Sequence, residues 1–254
     1  VNARVTRLEP AVIEAIERAT LAALSPEDVE ELAGWLLPFD DGTIGRAKSA
    51  VPLRHDRSDP AMVAVIAQRY AARGRPARFR IADDERLEPL RAALERQGYR
   101  GAQPTLVEIG SAAALLERVD APAAALERVP DAAWASVYTG EGFDPVDGAA
   151  RVRALSRAPD AVFARVQVDG ATAAVGVGAF GFGWASVHGM RTAHAVRRRG
   201  CARSVLAALA GAALERGIDR LFLQVEEGNA PARALYEAAG FRVAWRYRYW
   251  RAQS

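Results

Sequence analysis

The chain has 254 residues, 50% of them hydrophobic and 26% charged, which suits a folded globular protein of one large or two small domains. The net charge of +3 is carried almost entirely by arginine, with Lys48 the single lysine, and no arginine-rich run is interleaved with aromatic residues, so a nucleic-acid partner is not expected. No terminal apolar run of ~20 residues exists, Glu9 and Glu14 follow Arg4 and Arg7 unlike a secretory leader, and one cysteine permits no internal disulfide; a cytoplasmic protein with no membrane partner is expected, as a monomer or homodimer.

In chain order, apolar runs at 34–39 and 44–51 flank Asp40-Asp41-Gly42-Thr43, which predicts a hairpin with a short turn. A helical segment from Pro60 stops at Gly74, a strand follows at 77–81, a helix at 85–97 stops at Gly98, and 105–109 reads as a strand. Residues 110–122 are alanine-rich and read as a linker. Beyond it come a strand near 126–129, helices near 131–138 and 145–157, and strands at 162–168, 171–182 and 184–190. A helix beginning at Ala202 stops at Gly217, residues 218–225 form a strand, a helix from Asn229 stops at Gly240, and 243–250 is a strand. The two glycine-to-glycine intervals are 24 and 23 residues, with the same elements between them. This predicts two copies of one fold, with a boundary at 115/116.

The chemistry concentrates in the second copy. A strand, a turn carrying Arg197-Arg198-Arg199-Gly200, and a helix opening at Cys201-Ala202 form an anion-binding arrangement. The first helical turn has unpaired N–H groups and a partial positive charge, the glycine lets a bulky anion approach the backbone, and the arginines add full charges. The next helix has Asn229 as its N-cap and Pro231 in its first turn. The first copy has His55-Asp56-Arg57-Ser58-Asp59 at the corresponding helix start, where acidic groups would repel a pyrophosphate.

With Arg197-x-x-Gly200-x-Ala202 followed by Asn229-x-x-Ala232-x-x-Leu235-Tyr236-x-x-x-Gly240-Phe241, the C-terminal half resembles the GNAT acetyltransferase superfamily. The resemblance implies an α+β fold of two tandem GNAT-like domains, each a mixed, mostly antiparallel sheet flanked by helices: a degenerate copy over 1–115 and an acyl-CoA-binding copy over 116–254. It also implies acetyl-CoA as acyl donor and direct transfer to a primary amine of a small molecule, amino acid or peptide. Arg197, Arg198, Arg199, Gly200, Cys201 and Ala202 would face the pyrophosphate, Met190 and Thr192 the pantetheine amides, and Asn229 the pantetheine arm. Tyr236 would protonate the leaving thiolate. One departure is His194, where family members often carry proline. The alternative class is a non-catalytic acyl-CoA-binding or sensing protein.

Other signals read more plainly. Gly176-x-Gly178-x-x-Gly181 matches a dinucleotide fingerprint but lies inside an apolar run with no helix after it, so it predicts a glycine-rich, bulged strand. His55, His188 and His194 lack metal-ligand spacing, so no metal is expected. An amine acceptor must lose a proton. Glu226, past the predicted strand, is the first candidate base and His188 the second, with Glu227, Glu141 and Asp144 behind them. Trp35, Arg46 and Ser49, with Trp134 and Tyr138, are candidates for a cleft between the copies, where Arg46 could pair with a substrate carboxylate.

Overall fold

The computed structural model describes residues 8–253; Arg4 and Arg7 lie outside them. Helix α1 (Pro10–Leu24) opens on a proline that needs no N–H partner and ends at Ser25 in the left-handed region (φ 44°). Strands β1 (Asp28–Leu32) and β2 (Trp35–Phe39) pair antiparallel through a two-residue turn, Ala33-Gly34, with φ of 48° and 81°. Both positive values are what a type I′ hairpin turn requires. The hairpin expected around Asp40–Thr43 is therefore displaced. Residues 40–50 instead form a longer connection with a 3₁₀ turn, Gly45–Lys48, and only β3 (Val51–Pro52) returns to pair with β2. The carboxylate of Asp40 accepts from the Gly42 N–H at 2.6 Å and from Arg157 at 2.5 Å, which bends the chain away from β2.

Helix α2 (Met62–Ala72), strand β4 (Arg78–Ala82), helix α3 (Glu88–Arg96) and strand β5 (Tyr99–Ser111) complete the first half. The second half runs α4 (Ala112–Arg118), β6 (Ala125–Glu127), α5 (Ala132–Thr139), α6 (Pro145–Leu155), β7 (Val162–Val168), β8 (Ala171–Gly181), β9 (Trp184–Thr192), α7 (Cys201–Leu214), β10 (Arg220–Glu226), α8 (Ala230–Ala238) and β11 (Arg242–Ala252). In each half a hairpin leads through a helix to a strand that runs parallel to the hairpin's second arm: β9 with β10, and Ala50 beside β3 with Phe79 of β4.

Eight strands form one sheet in the order β4-β11-β5-β10-β9-β8-β7-β6. Strand β5, from the first half, lies between β10 and β11 of the second and hydrogen-bonds to both. Strands from both sides of residue 115 thus share a single ladder. The α+β class and the mixed, helix-flanked sheet are as expected. The apolar core divides by sheet face. One cluster joins α1, α2 and α3 to Phe222, Trp245 and Tyr247; another joins α4, α7 and α8 to Leu221, Leu223 and Val225; a third lies under α5 and α6. Among the described residues no helix is long and apolar enough to cross a membrane.

Candidate active site

The loop before α7 carries three arginines and a left-handed glycine turn. After β9 a 3₁₀ turn, His194–Val196, leads to Arg197 in extended conformation, Arg198 with φ 63° and Gly200 with φ 84°. The first intrahelical acceptor is the Gly200 carbonyl, bonded by the Arg203 N–H at 2.8 Å, so the N–H groups before Arg203 have no partner within the helix. Arg197, Arg198 and Arg199 are exposed, and no heavy atom lies within 4 Å of where a Gly200 Cβ would stand. The arrangement offers backbone N–H groups, a helix dipole and three cations to a phosphate-bearing ligand. Cys201 turns inward and is buried in the core, and Ala202 is half-buried.

Next to this loop the sheet opens. Strands β9 and β10 pair at three positions only, from Ala185–Leu221 to Val187–Leu223. Beyond them β10 stays bonded to β5 through Gln224, Val225 and Glu226, while β9 continues through Met190 to Thr192 bonded only to β8. The edge of β9 that faces β10 is left without a strand partner there. A bulge exaggerates the opening: Val175 and Val177 of β8 face Arg191 and His188 of β9, which places an extra residue at Gly189-Met190. Gly189 has φ 62°, and its carbonyl accepts from the Tyr138 hydroxyl. Tyr138 stacks on the fully buried Trp134 at 5.1 Å, so these two aromatics buttress the bulge from beneath. They do not line a cleft. Trp35 and Ser49 are likewise core residues, Trp35 edge-on to Phe79 and Ser49 donating to the Gly45 carbonyl.

On the face of the sheet that carries α7 and α8, Asn229 caps α8, its Oδ1 accepting from the Ala232 N–H at 3.3 Å. Tyr236 is buried with its ring edge-on to Phe241 at 6.0 Å. Burial, with the neighbouring Glu108 charge, pushes the Tyr236 hydroxyl up to about 12. Glu108 itself was not singled out from the sequence. It is buried on β5 opposite Leu223 and Val243, and burial raises its carboxyl above the usual range, against the opposing effect of Arg233. Glu226 is exposed and accepts from Gln103 Nε2 at 2.7 Å. Glu227 pairs with Arg246 at 3.1 Å, Asp144 caps α6, and Glu141 is exposed in the turn before it.

The opposite face holds a small pocket where β9 and β10 part, lined by Thr20, Arg46, Ser186, His188 and Gln224 among others. Ser186 Oγ donates to the Ala179 carbonyl at 3.3 Å and lies 3.1 Å from His188 Nδ1. A ring protonated at Nδ1 fits this arrangement, donating to Ser186 Oγ, and it leaves the Nε2 lone pair facing the pocket. Nε2 is buried with no hydrogen-bond partner. Burial first and the Arg46 charge second push His188 down to about 3, which keeps the ring neutral. Gln224 donates to Thr20 Oγ1 and accepts from the Tyr247 hydroxyl, both at 2.9 Å, tying α1, β10 and β11 around the pocket. No group of three or more His, Cys, Asp and Glu among the described residues could hold a metal.

A solved structure described as a GCN5-related N-acetyltransferase from Kribbella flavida matches with a TM-score of 0.72 over 96% of both chains at 19% identity. A tandem GNAT protein from the clavulanic acid biosynthesis pathway matches at 0.63 over 94% of both chains at 13% identity, and a GCN5-related N-acetyltransferase from Sphaerobacter thermophilus at 0.58 over 96% and 93% at 17% identity. The chain belongs to the family described as probable histone acetyltransferase Rv0428c C-terminal, whose model matches residues 10–250. Its fold is that of the GCN5-related N-acetyltransferase structures it matches. No curated protein matches it.

Proposed function

We propose that the protein transfers an acetyl group from acetyl-CoA to a primary amine of a small molecule, amino acid or peptide, with both substrates bound together. The observation that carries this reading is the open cradle at Gly200, at the N-terminus of α7 and beside the unpaired edge of β9. Arg197 to Ala202 would hold the pyrophosphate of acetyl-CoA, Met190 and Thr192 the pantetheine amides, and Asn229 would border that arm. The bound thioester supplies the acetyl group. The family's description adds the lysine side chains of basic proteins to the acceptors to be tried.

Each protein group then has a defined task. Tyr236, protonated at neutral pH, gives its hydroxyl proton to the departing sulfur. The acceptor nitrogen gains a bond to the acetyl carbon as the carbon–sulfur bond breaks, and its proton must leave. His188 Nε2, an acceptor without a partner, can take the amine's hydrogen bond and pass its proton on, being too weakly basic at about 3 to keep it, and Glu226, exposed and already bonded to Gln103, is the other receiver within the chain. His188 lies on the sheet face opposite Tyr236, with the splay between them, so proton loss and proton gain are kept apart. The first half we read as a degenerate copy without cofactor. Just before helix α2 the Asp59 carboxylate accepts from the Ala61 N–H at 3.0 Å, which puts a negative charge near the helix start.

The decisive experiment is calorimetric titration of acetyl-CoA into the full chain and into Gly200→Glu, followed by an amine panel with release of free thiol as the readout. One-site binding that the substitution abolishes, with turnover on an amine, is the expected result. No binding to the wild type would end this reading. Binding without turnover on any amine would leave an acyl-CoA sensor.

A further inference from the structure

The pocket on the face opposite Tyr236 has a charge imbalance that the acetyl transfer alone does not explain. Arg80 is completely buried and pairs with buried Glu17 at 2.5 Å. Arg46 lies within electrostatic reach of that pair, and among the described residues it has no carboxylate partner of its own. Two guanidiniums therefore face one carboxylate. Among the described residues no second carboxylate offsets the surplus: Arg80 Nε and Nη1 are buried with no hydrogen-bond partner, and the groups beside the two guanidiniums are the Tyr247 ring, 5.1 Å from Arg80, and the Tyr247 and Tyr249 hydroxyls, 3.2 Å apart. Arg46 is half-buried, and a cation partly withdrawn from water without a counter-ion favours an anion beside it. Arg46 lines the pocket, so the anion can enter from there.

The same pocket holds the orphaned Nε2 of His188, which has a lone pair but nothing to accept from. A ligand that satisfies both vacant functions needs an anionic end for Arg46 and an N–H for His188. A planar carboxylate matches a guanidinium fork in two parallel hydrogen bonds, which a neutral amide cannot do. We propose that the acceptor is an amine that bears a carboxylate, an amino acid or a close relative, held by Arg46 through the carboxylate with its nitrogen toward His188 Nε2. Arg46 comes from the first half of the chain and His188 from the second, so the acceptor site is complete only when both halves are present. This inference rests on the acetyltransferase reading and narrows its acceptor class.

The test uses the full chain with acetyl-CoA and matched acceptors: each amino acid beside its carboxamide, which differs only in the charge at that end. For the wild type kcat/KM should favour the acid by about 10- to 100-fold, mostly through KM, as a charge-assisted pair predicts. In Arg46→Gln that preference should vanish, so that acid and amide become equivalent, while Arg46→Lys should keep part of it. Thermal melts and acetyl-CoA affinity of each variant report on folding. A wild type that acetylates acid and amide equally overturns the inference but leaves the acetyltransferase standing, and so does an acid preference that survives in folded Arg46→Gln. Absence of acetyl-CoA binding to the wild type overturns both.

Discussion

At the scale of single residues, burial decides which protons are available. Tyr236 sits among Leu223, Val225 and Phe241 and keeps its proton through the physiological range, which makes it a donor and not a base. Replacing it by phenylalanine preserves the ring contacts, so acetyl-CoA affinity should hold while kcat falls by about 100-fold, the usual scale for losing a positioned acid. An unchanged kcat would relegate Tyr236 to packing. His55 offers a second, independent check. It is buried edge-on to Trp245 at 5.4 Å, and burial pushes it down to about 4 from an unfolded value near 6.5. Between those values the unfolded chain binds the proton and the folded one does not, so stability falls as pH drops through that window and levels below it. The loss attributable to His55 is about 3 kcal/mol, since each tenfold change in proton affinity is worth roughly 1.4 kcal/mol. Urea melts of wild type and His55→Phe between pH 6.5 and 4 should diverge by that amount in favour of the variant; parallel curves would show that His55 titrates normally in the fold.

Among the elements, two glycines mark where backbone and helix approach too closely for any side chain. A Cβ on Gly148 of α6 would stand 2.1 Å from the Tyr138 carbonyl oxygen of α5. Main chain cannot swing aside, so Gly148→Ala should cost several kcal/mol, toward the upper end of the ~1–3 kcal/mol typical of overpacking. A Cβ on Gly176 would meet Met190 Sδ and Val205 Cγ1 at 2.6 Å. Those are ends of side chains, and the same substitution there should cost less; a reversed order in thermal melts would contradict this. Local stops of this kind were legible in the sequence. Gly74, Gly98, Gly217 and Gly240 all have positive φ at or just past helix ends, a steric requirement that needs no knowledge of the rest of the fold. Helix α1 was not legible, because its inward face includes Glu17 and Thr20, whose partners Arg80 and Gln224 lie 63 and 204 positions away. Nor was the β1–β2 turn, since Ala33 gives no turn signal while Asp40-Asp41-Gly42-Thr43 gives a strong one. The glycine turn before α7 and the α8 cap could be read because each is a local motif. Glu108 could not, because it approaches Tyr236 only through the insertion of β5 into the second half's sheet.

For the whole molecule that insertion makes the halves interdependent. Strand β5 makes ladders with both β10 and β11, and β4 closes the far edge of β11. A fragment of residues 116–254 would carry two strands with no neighbour between them, and open edges invite aggregation. It is expected to be insoluble or unfolded by circular dichroism, whereas the full chain should lose both halves in one transition. A soluble fragment with a cooperative melt would show that β10 and β11 can close on each other.

The same strand order sets a timetable for synthesis. Residues 99–111 leave the ribosome long before either neighbour, β10 following about 110 residues later and β11 about 130. At the usual 5–20 residues per second that is a wait of roughly 10 s during which a thirteen-residue strand has both edges open, the condition under which nascent chains most need a chaperone. Slow translation of the stretch between β5 and β11 should therefore lower the yield of native protein, although no residue has been changed.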